Sequence, residues 1–265
     1  MPNQTLELLL MMTSNDIELT IGYSTLSERV KQIRFPKQES NRELLVVVQN
    51  PDQANLKVEQ GQAKVFELTN RGVAKSRNAV LDKASGEFLI FGDDDIVFNE
   101  SGIKELISYF RSHPQCDIIM AQAVDETGSL RKHYPRQAHK LTRFNSAKAA
   151  TYEMMIRVAP IREKKIRFDE SFGAGAEKYL GDEYIFITDA LKAGLQGVFL
   201  PIPVAIHPKE SSGSGWGTRR DLTARAAVFS RVFGPFAPIA RAMFLVKSRK
   251  TSVGLRNGIR FIIGK

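Results

Sequence analysis

The chain has 265 residues, 43% of them hydrophobic and 25% charged, with a formal net charge of +9. A core of ordinary size can be buried at this length, which excludes disorder as the overall state and suits one large domain or two small ones. The single cysteine, Cys116, excludes an internal disulfide and fits a reducing compartment. The charge is unevenly placed. Eleven Lys or Arg and one acid lie between Arg219 and Lys265, so this segment carries +10 and residues 1–218 sum to about −1.

Taken in chain order, the first apolar run is LELLLMM (6–12), which contains Glu7, lacks a basic leader and is far shorter than a bilayer span. No signal peptide or transmembrane helix is expected from it. It reads either as an edge strand or as an amphipathic leader. Beyond it, β-rich runs alternate with helical patterns. Strands are expected at 17–23, 43–49, 64–68, 87–92 and 117–124, and helices at 24–33, 74–84 and 99–114, the last stopped by Pro114. Strand and helix in alternation, with nearly continuous apolar strands, imply a Rossmann-like, mostly parallel sheet covered on both faces. Ligands of such sheets gather at the carboxyl ends of the strands.

One of those ends carries three carboxylates, in GEFLIFGDDDIVF. Adjacent aspartates repel, and a divalent cation relieves that repulsion. Hard oxygen ligands select Mg²⁺ or Mn²⁺. Strand alternation places Asp93 and Asp95 on one side and Asp94 on the other. The competing reading is a solvated acidic turn that caps the next helix.

Further on, Gly173 and Gly175 mark a turn. Asp182 and Glu183 follow at the start of a helix running to about Lys192, where the dipole favours ionised carboxylates. An acid pair there reads as a cap or as a general base. A strand at 198–206 leads into His207, which reads as a core histidine, a surface residue or a metal ligand through a neutral ring nitrogen. HPKESSGSGWGT then reads as a mobile loop, and DLTARAAVFSRVF and IARAMFLVKSRK as basic amphipathic helices. This divides the chain into residues 1–218 and a basic helical tail, 219–265.

Taken together, NRGVAKSRNAVLDKASGEFLIFGDDDIVF, FDESFGAGAEKYLGDEYIFITDALKAG and PIPVAIHP resemble the family 2 glycosyltransferases of the GT-A fold, over about residues 17–217. The ordered set is Asn70 with Gly72, Arg77 with Asn78, Asp93 with Asp95, Phe168 to Glu170, Gly173 to Gly175, Asp182 with Glu183, and His207. The resemblance implies an inverting, metal-dependent transfer of a sugar from a nucleotide-sugar, with UDP as the expected nucleotide, to a glycan or lipid-linked saccharide hydroxyl. It implies that Asp93 binds the nucleoside, that Asp94 beside it also belongs to the nucleotide-binding set, that Asp95 is a metal ligand, and that Mn²⁺ or Mg²⁺ is the cofactor. His207 becomes a second metal ligand. Ser24, Thr25, Arg29 and Gln49 would lie along the nucleotide, Gly72, Arg77 and Gly175 near the diphosphate or sugar, and Trp216 in a lid from Lys209 to Trp216. The family usually has Glu-Asp where this chain has Asp182-Glu183. Alignment puts the base on Glu183, with Asp182 as second choice.

Two other classes fit the sequence less well. A sugar nucleotidyltransferase of similar fold would carry a glycine-rich signature near the first strand, and IGYSTLSER has one glycine. A non-enzymatic nucleic-acid binder would use the basic tail, but its cations alternate with AMFLV and FII, which suits an anionic membrane surface better. The expected location is cytoplasmic, at the inner face of the plasma membrane.

Overall fold

The computed structural model describes residues 17–54, 63–208, 218–248 and 253–264. The 6–12 run, the Lys209–Trp216 loop with Trp216, and the cations Arg249 and Lys250 lie outside the described residues. Nine strands form one sheet among those described: β1 (Leu19–Leu26), β2 (Arg42–Gln49), β3 (Ala63–Leu68), β4 (Phe88–Asp93), β5 (Val97–Phe98), β6 (Ile118–Val124), β7 (His139–Lys140), β8 (Met154–Arg157) and β9 (Gly197–Ile206). Seven helices accompany them: α1 (Val73–Lys83), α2 (Glu100–Ser112), α3 (Val158–Glu163), α4 (Asp182–Lys192), α5 (Arg219–Phe233), α6 (Ala237–Ser248) and α7 (Leu255–Ile263).

The sheet order is β3-β2-β1-β4-β8-β6-β9-β5, with β7 paired to β9. The β3-β2-β1-β4 half is parallel, and β6 runs parallel to β9. Antiparallel β8 sits between β4 and β6. The sequence predicts no strand there, because four residues between a 3-10 turn and a helix make too short a pattern to show period.

Alternation along each parallel strand sorts side chains onto two faces. Leu19, Ile21, Tyr23, Val46, Val48, Phe88 and Ile90 pack with α2 on one face. Leu45, Val47, Leu89 and Phe91 pack with α1 and α4 on the other. Helix α1 lies so close to β1 that a Cβ at Gly22 would come 2.1 Å from Val80 Cγ1. This close seating fixes where α1 points its polar residues.

Two expectations are corrected. The helix at 24–33 does not form: β1 continues through Leu26, in register with Gln49, and only a 3-10 turn over Val30–Gln32 follows. Ser24 and Thr25 are therefore strand residues and not the start of a helix. Their backbone groups are satisfied by β2 and β4, and tertiary pairing outweighs the local capping preference of Ser and Thr. The alternative in which the aspartates cap the next helix also fails, since Asn99 caps α2 by accepting from the Ser101 amide.

Helix α5 seats on α4 through Phe172, Tyr184, Ile185, Val228, Val232 and Phe233. Ending the chain at Thr218 would bare that face. The expected result is a fall of about 10 °C or more in the unfolding midpoint followed by circular dichroism. An unchanged midpoint would make everything after 218 a separate appendage.

Candidate active site

At the carboxyl ends of β1, β2 and β4, the strand register sets Ser24 beside Asp93 and Leu26 beside Gln49. The chain beyond β4 turns at Asp94 and Asp95 before entering β5. From across the crevice come the glycine turn, the start of α4 and the end of β9. The result is a cleft of about 750 Å³ lined by Ser24, Thr25, Arg29, Gln49, Arg77, Asp93, Asp94, Asp95, Gly175, Asp182, Glu183 and His207. Residues up to 183 positions apart in sequence meet here because the strand ends and α4 open onto one crevice.

The three aspartates face different partners. Asp94 is buried, accepts from Thr25 Oγ1 at 2.7 Å and pairs with Arg29 Nη2 at 2.5 Å. Burial raises its pKa, opposed by the Thr25 hydrogen bond and by Arg29. Asp93 and Asp95 stay about one-third exposed to the cleft, at 32% and 34%. Asp93 accepts from Arg77 Nη2 at 3.2 Å, and Asp95 lies 3.3 Å from Arg29 Nη2. The expected separation of Asp94 from its neighbours therefore appears as an inward-turned carboxylate.

Arg77, on α1, joins two halves of the site. Its Nη1 donates to Asp182 Oδ2 at 2.6 Å while Nη2 reaches Asp93. Burial opposes the guanidinium charge, yet Asp182, Asp93 and Glu183 hold its pKa above the ordinary value. Next to it, Asn78 donates to the Phe168 carbonyl at 3.0 Å and to Glu170 Oε1 at 3.1 Å, and accepts from the Phe168 amide at 2.8 Å. The Arg-Asn pair thus does two jobs. One residue ties the acids together, and the other anchors the segment that leads to the glycine turn.

That turn rests on the start of α1. The Val73 amide donates to the Ala174 carbonyl at 2.9 Å, and a Cβ at Gly175, whose φ is +84°, would meet the Gly72 amide nitrogen at 3.1 Å. Gly72 itself does not line the cleft: its amide donates to Gln49 Oε1 at 2.7 Å, and its φ of +133° lets the chain enter α1. Its place is behind Gln49.

Asp182 and Glu183 open α4 after Gly181, whose φ is +90°. Asp182 is buried and held by Arg77. Glu183 keeps partial solvent contact at the cleft floor. Burial, then the charge of Asp182 and a hydrogen bond with it, push the Glu183 pKa up to about 8, against the pull of Arg77.

His207, at the end of β9, is buried with its ring 5.1 Å from Tyr152. Its Nδ1 lies 2.7 Å from the Pro208 carbonyl, which can only accept, so Nδ1 carries the proton. Nε2 lies 3.8 Å from Asp95 Oδ1. That spacing is within the reach of two metal bonds of about 2.1 Å, so these are the two residues that could hold Mn²⁺ or Mg²⁺. Among the described residues no group of three or more His, Cys, Asp and Glu encloses a metal unaided. Phosphate oxygens and water would complete the shell. Ser24, another residue of the cleft wall, has its Oγ buried and without a hydrogen-bond partner.

Tyr152, Arg71, Tyr179 and Leu180, which no sequence motif marks, line the same cleft. Tyr152 precedes β8 and carries no motif. Tyr179 and Leu180 sit inside the glycine turn segment, where the glycines are the conspicuous residues.

The glycosyl transferase family 2 model matches residues 30–166, just over half of the chain. The poly(ribitol-phosphate) β-N-acetylglucosaminyltransferase TarS of Staphylococcus aureus is 26% identical over 157 residues, which is 54% of this chain and 26% of that protein. The chain thus spans about a quarter of the length of this curated relative. Residues 1–349 of TarS in complex with UDP-GlcNAc superpose with a TM-score of 0.58 at 17% identity, covering 86% of this chain and 71% of that one. The mannosyltransferase PcManGT of Pyrobaculum calidifontis, in complex with GDP-Man and Mn²⁺, gives 0.59 at 15% identity, covering 93% and 74%. The matched segment carries the strand-end aspartates and the Arg-Asn pair of α1, and the solved structures share the fold over most of the chain: the chain belongs to glycosyl transferase family 2, on a GT-A fold.

Proposed function

We propose that the chain transfers a sugar from a nucleotide-sugar, a UDP-sugar by likeness to the TarS complex, to a hydroxyl of a glycan acceptor, with inversion. One observation carries the reading: Asp93, Asp95, Arg77, Glu183 and His207 converge on a single cleft large enough for a sugar nucleotide. Gln49, Ser24 and Thr25 at the strand ends would hold the nucleoside side, with Asp93. Asp95 and His207 would hold Mn²⁺ or Mg²⁺, which supplies positive charge against the departing diphosphate. Arg29 and Arg71 flank the same opening and add fixed positive charge there.

Glu183 takes the proton from the acceptor oxygen as it attacks the anomeric carbon, while the bond to the diphosphate breaks on the opposite face. A carboxylate with a raised pKa is a stronger base than an ordinary one. Asp182 is held too firmly by Arg77 to serve this role and positions Glu183. Tyr152 presents a ring beside His207 where a sugar face would rest.

The test incubates the protein with a panel of nucleotide-sugars and Mn²⁺ or Mg²⁺ and follows nucleotide release. Metal-dependent release from one donor is expected, falling about 100-fold or more in Asp95→Ala. Equal release by the two proteins would remove the assignment.

A further inference from the structure

Helix α6 buries Ala237 and Arg241 and packs Ala240 and Phe244 inward, toward α5. Its other side carries Ile239, Met243 and Val246, with Phe236 just before it, a 3-4-3 spacing that forms one stripe. Helix α7 behaves alike: Phe261 is buried against Leu222 and Ala226 of α5, while Leu255, Ile259 and Ile263 face out. These seven side chains are between 52 and 83% exposed. A run of large apolar residues on two neighbouring helices is more than a scatter of surface hydrophobics.

Arg241 makes the two helices one platform. Its Nη2 donates to the Ala226 carbonyl of α5 at 2.9 Å and its Nη1 to the Ile262 carbonyl at the end of α7 at 3.0 Å. The charge of this part of the chain then selects the partner. Residues 234–265 hold seven Lys or Arg and no acid. A second copy seated symmetrically on this face would set two such positive segments together, which electrostatics disfavours. An anionic bilayer surface offers both an apolar layer for the stripes and negative headgroups for the flanking cations.

We propose that the outer faces of α6 and α7 lie in the surface of an anionic membrane, the apolar stripes inserted and Lys247, Arg256 and Arg260 at headgroup level. The helices lie on the bilayer and do not cross it. The stretch Arg219–Lys247 is long and apolar enough to span by length and composition. However, it is broken at Gly234, where φ is +55° and Pro235 follows, and α5 uses its apolar side against α4 and α7. The N-terminal end of α5 touches the cleft wall through Tyr179, which donates to Asp221 at 3.2 Å. The platform therefore holds the cleft within about one helix length of the membrane.

The experiment is co-sedimentation of the full chain with vesicles of phosphatidylglycerol and phosphatidylcholine in equal parts, and with phosphatidylcholine alone. Salt-sensitive binding to the anionic vesicles is expected. It should fall about tenfold or more in the triple variant Ile239→Ser, Met243→Ser, Val246→Ser, at unchanged circular dichroism. Should that variant misfold, Lys247→Gln with Arg256→Gln tests the charged half and should abolish the anionic preference. A fluorophore on Val246→Cys should shift to the blue with anionic vesicles, whereas one on Glu163→Cys should not. Cys116 is buried and leaves these labels selective. Equal binding by wild type and both variants, or binding indifferent to lipid charge, overturns the proposal. So does a dimer that the triple variant dissociates without any vesicle binding. None of these readouts needs donor turnover, so the transferase reading stands or falls separately.

Discussion

Glu183→Gln is expected to lower sugar transfer by about 10³-fold while leaving UDP affinity near that of the wild type, since the amide fills the same space but cannot accept the acceptor proton. The pH dependence supplies an independent check. With the Glu183 pKa pushed up to about 8 by burial and by Asp182, the base is largely protonated at neutral pH in the free protein. The kcat/KM for donor should rise as pH increases through about 8 and level off above it, and the residual rate of Glu183→Gln should be flat. A profile that is level from pH 6 to 9 in the wild type would move the base elsewhere.

Stability carries the same signature with opposite direction. The folded state raises the Glu183 pKa above its unfolded value, so folding favours the protonated acid. That contribution is fully present below about 4.5 and is lost as pH rises through about 8. Glu183→Gln should therefore match the wild type in unfolding midpoint at low pH and exceed it by a few degrees near pH 9. Activity and stability thus pull on one carboxyl group in opposite senses, and urea unfolding at two pH values reads the second effect without any substrate.

The second large effect is expected at Arg77. Its guanidinium is the buried partner of Asp182 at 2.6 Å and also holds Asp93 at 3.2 Å. Arg77→Ala leaves Asp182 buried without its cation, at a cost of about 3–5 kcal/mol in urea unfolding, and also frees Asp93 and the start of α4 from each other. Arg77→Lys restores charge but not the two-pronged reach, so it should recover less than half of the loss. Combining Arg77→Ala with Asp182→Asn removes the stranded charge as well. The double variant should be more stable than Arg77→Ala alone yet stay inactive, because the acids are no longer aligned. Strict additivity of the two single changes would mean that the pair is not coupled and that another group sets the geometry of α4.

The α/β alternation, the positions of β2, β3, β4, β6 and β9 to within a residue or two, and a cleft at the strand ends are legible in the amino-acid order, because apolar runs of strand length and capped helical periods are local signals. So are the acids that line the cleft, since a run of three carboxylates at the end of an apolar strand is conspicuous wherever it occurs. Which partner each acid meets follows from the folded chain alone. Asp94 turns inward to Thr25 and Arg29, Asp95 faces His207, and Asp182 is bound by Arg77, leaving Glu183 as the carboxyl group of that pair that no cation holds in a salt bridge. Those distinctions arise from contacts between residues 65 to 112 positions apart, set by strand register and by the seating of α1 on β1, and no stretch of neighbouring residues encodes them. For the same reason β8 and the extension of β1 through Leu26 were invisible in the sequence. Their backbone partners lie in distant strands, and the sheet, not the local preference of MMIR or STL, supplies the hydrogen bonds.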